Sequence, residues 1–126
     1  MQAKFIIGAI AAAVAISLSG CGDESEHIAE VTTGGSAQRG AAAIARYGCG
    51  SCHIIPGISG ALGRSGDSLA GIADRIYIAG VLQNTPDNMM RWIKDPPGVD
   101  PKTVMPNLGV TDQDAKDIAG YLYTLK

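Results

Sequence analysis

An all-α fold is predicted for this 126-residue chain by three observations. The alanine-rich stretch AQRGAAAIARYG, residues 37–48, carries Gly40, Ile44 and Tyr47 at spacings of four and three, so they share one helical face. From Thr111 onward, Ala115, Ile118, Ala119, Leu122 and Leu125 form a second apolar stripe at helical period. No run of any length alternates apolar and polar residues as a half-buried strand does. Aromatic residues make up only 5% of the chain, with one Trp and one Phe, so few large side chains are available for a core. Such a core needs another body to fill it.

The first segment, residues 1–20, reads as a signal peptide. Lys4 supplies one positive charge, and Phe5 to Leu18 is an uncharged, largely apolar run of fourteen residues, shorter than the roughly 18 to 20 a spanning helix needs. It ends in Leu18-Ser19-Gly20-Cys21, which resembles the lipobox of bacterial lipoproteins. That resemblance implies cleavage before Cys21 and acyl chains on its sulfur and new amine, an anchor of more than one chain. The alternative is an ordinary cleaved signal that leaves Cys21 as a free thiol.

Residues 21–35 follow as a lipid-anchored, flexible tether. Gly22 to Gly35 is polar, holds Asp23, Glu24, Glu26 and Glu30, and lacks an apolar period. Fourteen such residues average roughly 20 Å end to end. His27 lies here and reads as a solvated linker side chain. The net charge of the whole chain is −2, and from Ser36 onward nine basic residues face eight acidic ones. That balance offers nucleic acid no basic patch.

The folded domain occupies residues 36–126. Ser36 is placed to cap the first helix and Gly48 to end it. A glycine-rich loop runs from Pro56 to Gly66, and Leu69 to Leu82 is ambiguous between a short helix and loop. Thr85, Pro86 and Asp87 then give a cap, a proline at the first helical position and an acid in the first turn, opening a helix that runs to Asp95 before Pro96-Pro97 stop it. Met89, Trp92 and Ile93 share its apolar face. Gly98 to Gly109 is extended, pinned by Pro101 and Pro106. Thr111 with Asp114 three positions on opens the last helix.

Chemistry concentrates in Cys49-Gly50-Ser51-Cys52-His53. Structural zinc needs four ligands, and beyond these three only Cys21 and His27 remain, so a closed site cannot be assembled. A redox dithiol needs C-x-x-C at a helix N-terminus after a strand, whereas this pair follows a helix. Haem attachment needs C-x-x-C-H in that order: two thiols add to the porphyrin vinyl groups and the adjacent imidazole reaches the iron. Export and a core short of large side chains both agree with the third reading. Three cysteines are odd for an exported chain; lipid on Cys21 and one haem c bound covalently by Cys49 and Cys52 leave no thiol over.

At this point Ser36 to Lys126 resembles the class I, single-haem c-type cytochromes, with helix, CxxCH, loop, helix, proline-bounded methionine and final helix in the family's order. The stretch NTPDNMMRWIKDPPGVDPKTVMPNLGVT is similar to the cytochrome c domain fused to subunit II of some haem-copper oxidases and to related free cytochromes. The resemblance implies the cytochrome c fold, its first and last helices crossing beside a covalent haem with Gly40 and Ile44 on Ile118 and Tyr121. It also implies that the carbonyl of Asp67, where the family usually has proline, accepts from the His53 imidazole; that Arg75 binds propionate; and that Trp92 lies beside the haem.

Iron held by His53 needs a sixth ligand. Met89 and Met90 lie inside a helix, where methionine is more often core or surface. Met105 lies between Pro101 and Pro106 on an extended loop that can cross a ring face, and the family's distal methionine sits in this place. A pair of protein ligands, His53 and Met105, leaves no open position for substrate, which describes an electron carrier and not an enzyme. The competing reading is a peroxidase or gas-reactive haem with an open distal site. The expected protein is an exported, lipid-anchored carrier on the periplasmic or outer face of a bacterial membrane. Its partners are redox proteins, an oxidase, a dehydrogenase or a quinol-oxidising complex, with no nucleic acid and no small-molecule substrate.

Overall fold

The computed structural model describes residues 24–126. The signal peptide, its cleavage point and Cys21 lie outside the described residues. The chain is mostly helical, in the order α1 (Glu24–Thr33), α2 (Ala37–Arg46), β1 (Tyr77–Ile78), β2 (Leu82–Gln83), α3 (Pro86–Lys94), α4 (Pro96–Val99) and α5 (Asp112–Leu122). Two short 3₁₀ turns, Cys49–Ser51 and Ile72–Asp74, lie between α2 and β1.

Helix ends fall where the side chains dictate. The Ser36 hydroxyl accepts from the Arg39 amide at the start of α2, and Thr85 accepts from Asn88 at the start of α3. At α5 the Thr111 hydroxyl accepts from the Asp114 amide and donates to its carboxylate, at 3.1 and 2.9 Å. Pro96-Pro97 do more than stop a helix: α3 ends at Lys94, and Asp95 caps a new single turn whose first position is Pro96. Proline suits that position because the missing N–H would be unpaired there anyway. The ambiguous stretch after Leu69 resolves into a 3₁₀ turn and a two-residue antiparallel hairpin pairing Tyr77 with Gln83 and Ile78 with Leu82. That pairing is too short to leave an alternation signal in sequence.

The core is built on the contact between α2 and α5, the first and last helices of the predicted domain. Ala43 and Ile44 pack in one cluster with Ala115, Ile118, Ala119 and Leu122. Gly40 sets the closeness of the crossing, because a side chain there would run into the Asp117 carbonyl and the Tyr121 Cβ. This is the approach expected of Gly40, Ile44, Ile118 and Tyr121.

The structure corrects the flexible tether. Residues 24–33 are helical, and Ala29 and Thr33 are buried against α5. Only two side chains of α1 are buried, too few to print an apolar period on an acidic sequence. Its docking surface is the backbone of other residues: Gly35 sits directly on Lys116, and Gly120 leaves room for Thr33.

One carboxylate fastens the N-terminal part to α5. Asp117, 2% exposed, accepts from the Ser36 amide at 2.7 Å, from Arg39 Nε and Nη2 at 2.9 and 2.8 Å, and from Gln113 at 3.1 Å. Burial alone would raise its pKa; Arg39, the Ser36 amide and Gln113 outweigh that and hold it below the ordinary carboxylate value. A lowered folded value stabilises fully above the unfolded pKa of about 3.9, and that contribution is lost as pH falls through the folded value. Asp117→Asn is therefore expected to cost about 1.5–3 kcal/mol at neutral pH, the range for hydrogen bonds to a charged group. Thermal melts taken from neutral pH to about pH 2 should show a shallower acid limb in the variant than in the wild type.

Candidate cofactor-binding site

The site begins where α2 stops. Gly48, at φ +72°, takes the left-handed conformation that turns the chain out of the helix. The 3₁₀ turn of Cys49–Ser51 follows, with the Cys52 and His53 amides both donating to the Cys49 carbonyl at 3.2 and 3.0 Å. This local wrap brings two thiols and an imidazole to one wall. The glycine-rich loop then folds back on it: the Gly63 amide donates to the Gly50 carbonyl at 3.0 Å and the Gly66 amide to the Cys52 carbonyl at 2.9 Å.

His53 is oriented by that loop. Its Nδ1 lies 2.6 Å from the Asp67 carbonyl oxygen, to which it donates in the tautomer that leaves Nε2 free to bind. Gly66 lies flat against the ring; a Cβ there would stand 2.5 Å from Cε1. Asp67 thus contributes through its backbone, as the sequence resemblance implies, while its side chain is exposed. The two thiols differ: burial pushes the Cys49 thiol up, whereas hydrogen bonds from Ser65 and Ser51 bring Cys52 below the ordinary thiol value. Ser65 was not legible beforehand, since it approaches Cys52 only through the fold of the loop.

Cys49, Cys52 and His53 open onto a cavity of about 530 Å³. Its walls come from every part of the domain: Ile44 from α2, Ile72 and Ile78 from the middle, Met89, Trp92 and Ile93 from α3, and Ile118 and Leu122 from α5. Met105, Asp67 and Arg75 also line it, so all seven cofactor residues expected from sequence meet in one place. Met105 is half-buried on the segment between α4 and α5, its amide donating to the Thr103 hydroxyl at 3.2 Å. Arg75 Nη2 is held by the carbonyls of Ser68 and Ala70 at 2.5 and 3.1 Å. Trp92 is 8% exposed and Met89 2%.

A network that sequence reasoning missed supports the far wall. The Asn84 amide group donates to the carbonyls of Ile72 and Arg75, both at 2.8 Å, and accepts from the Tyr123 hydroxyl at 2.7 Å. Burial pushes Tyr123 up to about 12, so it remains a donor at any physiological pH. Asn84 reads in sequence as part of a helix start; its partners are nine to 39 positions away and leave no local signal.

The comparisons agree with this geometry. Residues 37–126 match the family model for cytochrome c. The chain belongs to the cytochrome c family. It is also similar to cytochrome c oxidase subunit 2 of Alkalihalophilus pseudofirmus, 30% identical over 91 residues, which cover 71% of this chain and 26% of that protein. The subunit 2 of Bacillus sp. (strain PS3) is 31% identical over 88 residues, 67% of this chain and 25% of that protein. The chain therefore spans about a quarter of the length of these curated relatives. No solved structure matches it.

Membership of the cytochrome c family implies haem-based electron transfer and a covalently bound haem c, and Cys49-x-x-Cys52-His53 provides the motif. The residues fit such a group. The cavity lies within the roughly 300–1,000 Å³ of pockets that bury a sizeable organic ligand, and its walls are predominantly apolar. Two thiols, an imidazole with one nitrogen engaged and a methionine sulfur are the donors a haem c takes.

Proposed function

We propose that this cytochrome c is a one-electron carrier, with haem c attached through Cys49 and Cys52 and its iron bound by His53 and Met105. The observation that carries the reading is that both thiols, an imidazole already oriented by the Asp67 carbonyl, and Met105 all border one apolar cavity. When bound, the haem supplies an iron centre that gains and loses one electron. The protein's own residues do the rest. Asp67 fixes the His53 ring and strengthens it as a ligand. Met89, Trp92, Ile93 and Ile118 give the cavity apolar walls that would exclude water from a bound haem. Arg75, pinned by two carbonyls, would offer a fixed cation to the porphyrin carboxylates. Two protein ligands, His53 and Met105, would leave a bound haem no position for substrate, which supports a carrier and not an enzyme.

The same reading places the mature chain on the outer face of a bacterial membrane, cleaved after residue 20 and acylated at Cys21. It exchanges electrons with redox proteins there. Similarity to oxidase subunit 2 supports a terminal oxidase as one of them.

Met105→Ala is expected to convert a low-spin spectrum to a high-spin one, abolish the weak far-red band of iron bound by methionine sulfur, and lower the reduction potential. Absorption spectroscopy and redox titration of the purified holoprotein check this. A wild type that is already high-spin and lacks the sulfur band would instead support a peroxidase or gas-reactive haem.

A further inference from the structure

Helix α1 lies before the stretch that the family model matches, which begins at residue 37, yet it belongs to the packed body. Ala29 is 2% exposed and Thr33 5%. The Gly34 amide donates to the Glu30 carbonyl at 2.8 Å and the Gly35 amide to the Thr33 hydroxyl at 3.2 Å, closing the helix before the chain enters α2. Gly35 meets the Lys116 backbone, and Thr33 stands over Gly120. On α5, Ile118 and Leu122 face the cavity. Gly120, over which Thr33 stands, is two positions from each of these, about 160–200° around the helix. The C-terminal end of α1 and the cavity are therefore on opposite sides of α5, and α1 also touches α3.

The sequence sets the distance from α1 to the proposed anchor. Only Gly22 and Asp23 separate Cys21 from Glu24, which limits the span between their Cα atoms to about 11 Å. We infer that α1 is a rigid mount: it holds the domain at the bilayer in a restricted orientation, with the cavity on the side of α5 turned away from the mount. The inference rests on the reading of Cys21 as the lipid site. Two packed layers put the cavity roughly 15–20 Å beyond α1. The partner this geometry fits is a redox protein domain that projects from the membrane surface.

Polarised absorption of the lipidated holoprotein, reconstituted in oriented phosphatidylcholine bilayers, tests the mount. The haem band of the wild type should be dichroic. Insertion of a Gly-Ser linker of about ten residues between Asp23 and Glu24 should abolish the dichroism while leaving the melting temperature and the solution spectrum unchanged. Membrane-bound wild type without dichroism, or equal dichroism in both proteins, overturns the mount and leaves the lipid reading standing. A mature protein that mass spectrometry shows to carry no acyl chain overturns the lipid reading, and the mount with it.

Discussion

Replacing Cys49 and Cys52 together by alanine is expected to give a protein that retains no haem after acid–acetone extraction and whose haem-free form has no cooperative thermal transition. The first half follows from the two thiols being the only covalent attachment the motif offers. The second follows from the cavity. Ile44, Ile72, Ile78, Met89, Ile93 and Ile118 border a space of about 530 Å³. Without a porphyrin against them these apolar walls face water, which forfeits on the order of 5 kcal/mol at about 25 cal/mol per Å² of apolar surface. A domain of this size has only about 5–15 kcal/mol of stability altogether. The chain without its cofactor must therefore flood or collapse. Far-UV circular dichroism against temperature, with pyridine assay of the extracted pellet, measures both halves. A haem-free double variant that melts cooperatively near the wild-type temperature would show that the core does not depend on the cofactor.

Gly40→Val is expected to be the most damaging single change away from the cavity. The new side chain meets the Asp117 carbonyl and the Tyr121 Cβ, so relief requires α2 and α5 to separate. Backbone cannot rotate out of the way as a side chain does. Overpacking typically costs 1–3 kcal/mol and more where the obstacle is rigid, so about 3 kcal/mol is a reasonable expectation, partly offset by the better helix propensity of a residue other than glycine. For a domain of about 100 residues this corresponds to a fall in melting temperature of roughly 12–24 °C. The separation also displaces Ile44 and Ile118, which line the cavity, so the haem spectrum should broaden or shift. Ala42→Val, on the exposed face of the same helix, is the control and should move the melting temperature by only a few degrees. Equal effects at positions 40 and 42 would place the importance of Gly40 elsewhere than at the crossing.

How much of this was legible beforehand depends on the range over which each signal acts. Ser36, Thr85 and Thr111 cap helices as their sequence predicts, because a cap is decided within four residues. Cys49, Cys52 and His53 converge on one wall for the same reason: their spacing and a single 3₁₀ turn suffice. Met105 was found through its prolines and the family pattern, and the structure brings it to the cavity. Helix α1 was misread because its stability comes from a surface formed by Lys116 and Gly120, more than 80 positions away. Ser65 beside Cys52 and Asn84 beneath the Ile72 turn were invisible for a like reason, since each acts on groups that only the folded loops bring near.

The sequence by itself determined the class of helices, their ends, the attachment motif and the family, all of which rest on local spacing and on backbone chemistry that neighbours in the chain settle between them. Only the tertiary structure decided that residues 24–33 are part of the body, that Asp117 clamps the entry to α2, and that the cavity lies on the side of α5 away from Thr33. Those depend on how closely two helices can approach, and that distance is set by pairs such as Gly40 and Asp117 that no local pattern connects.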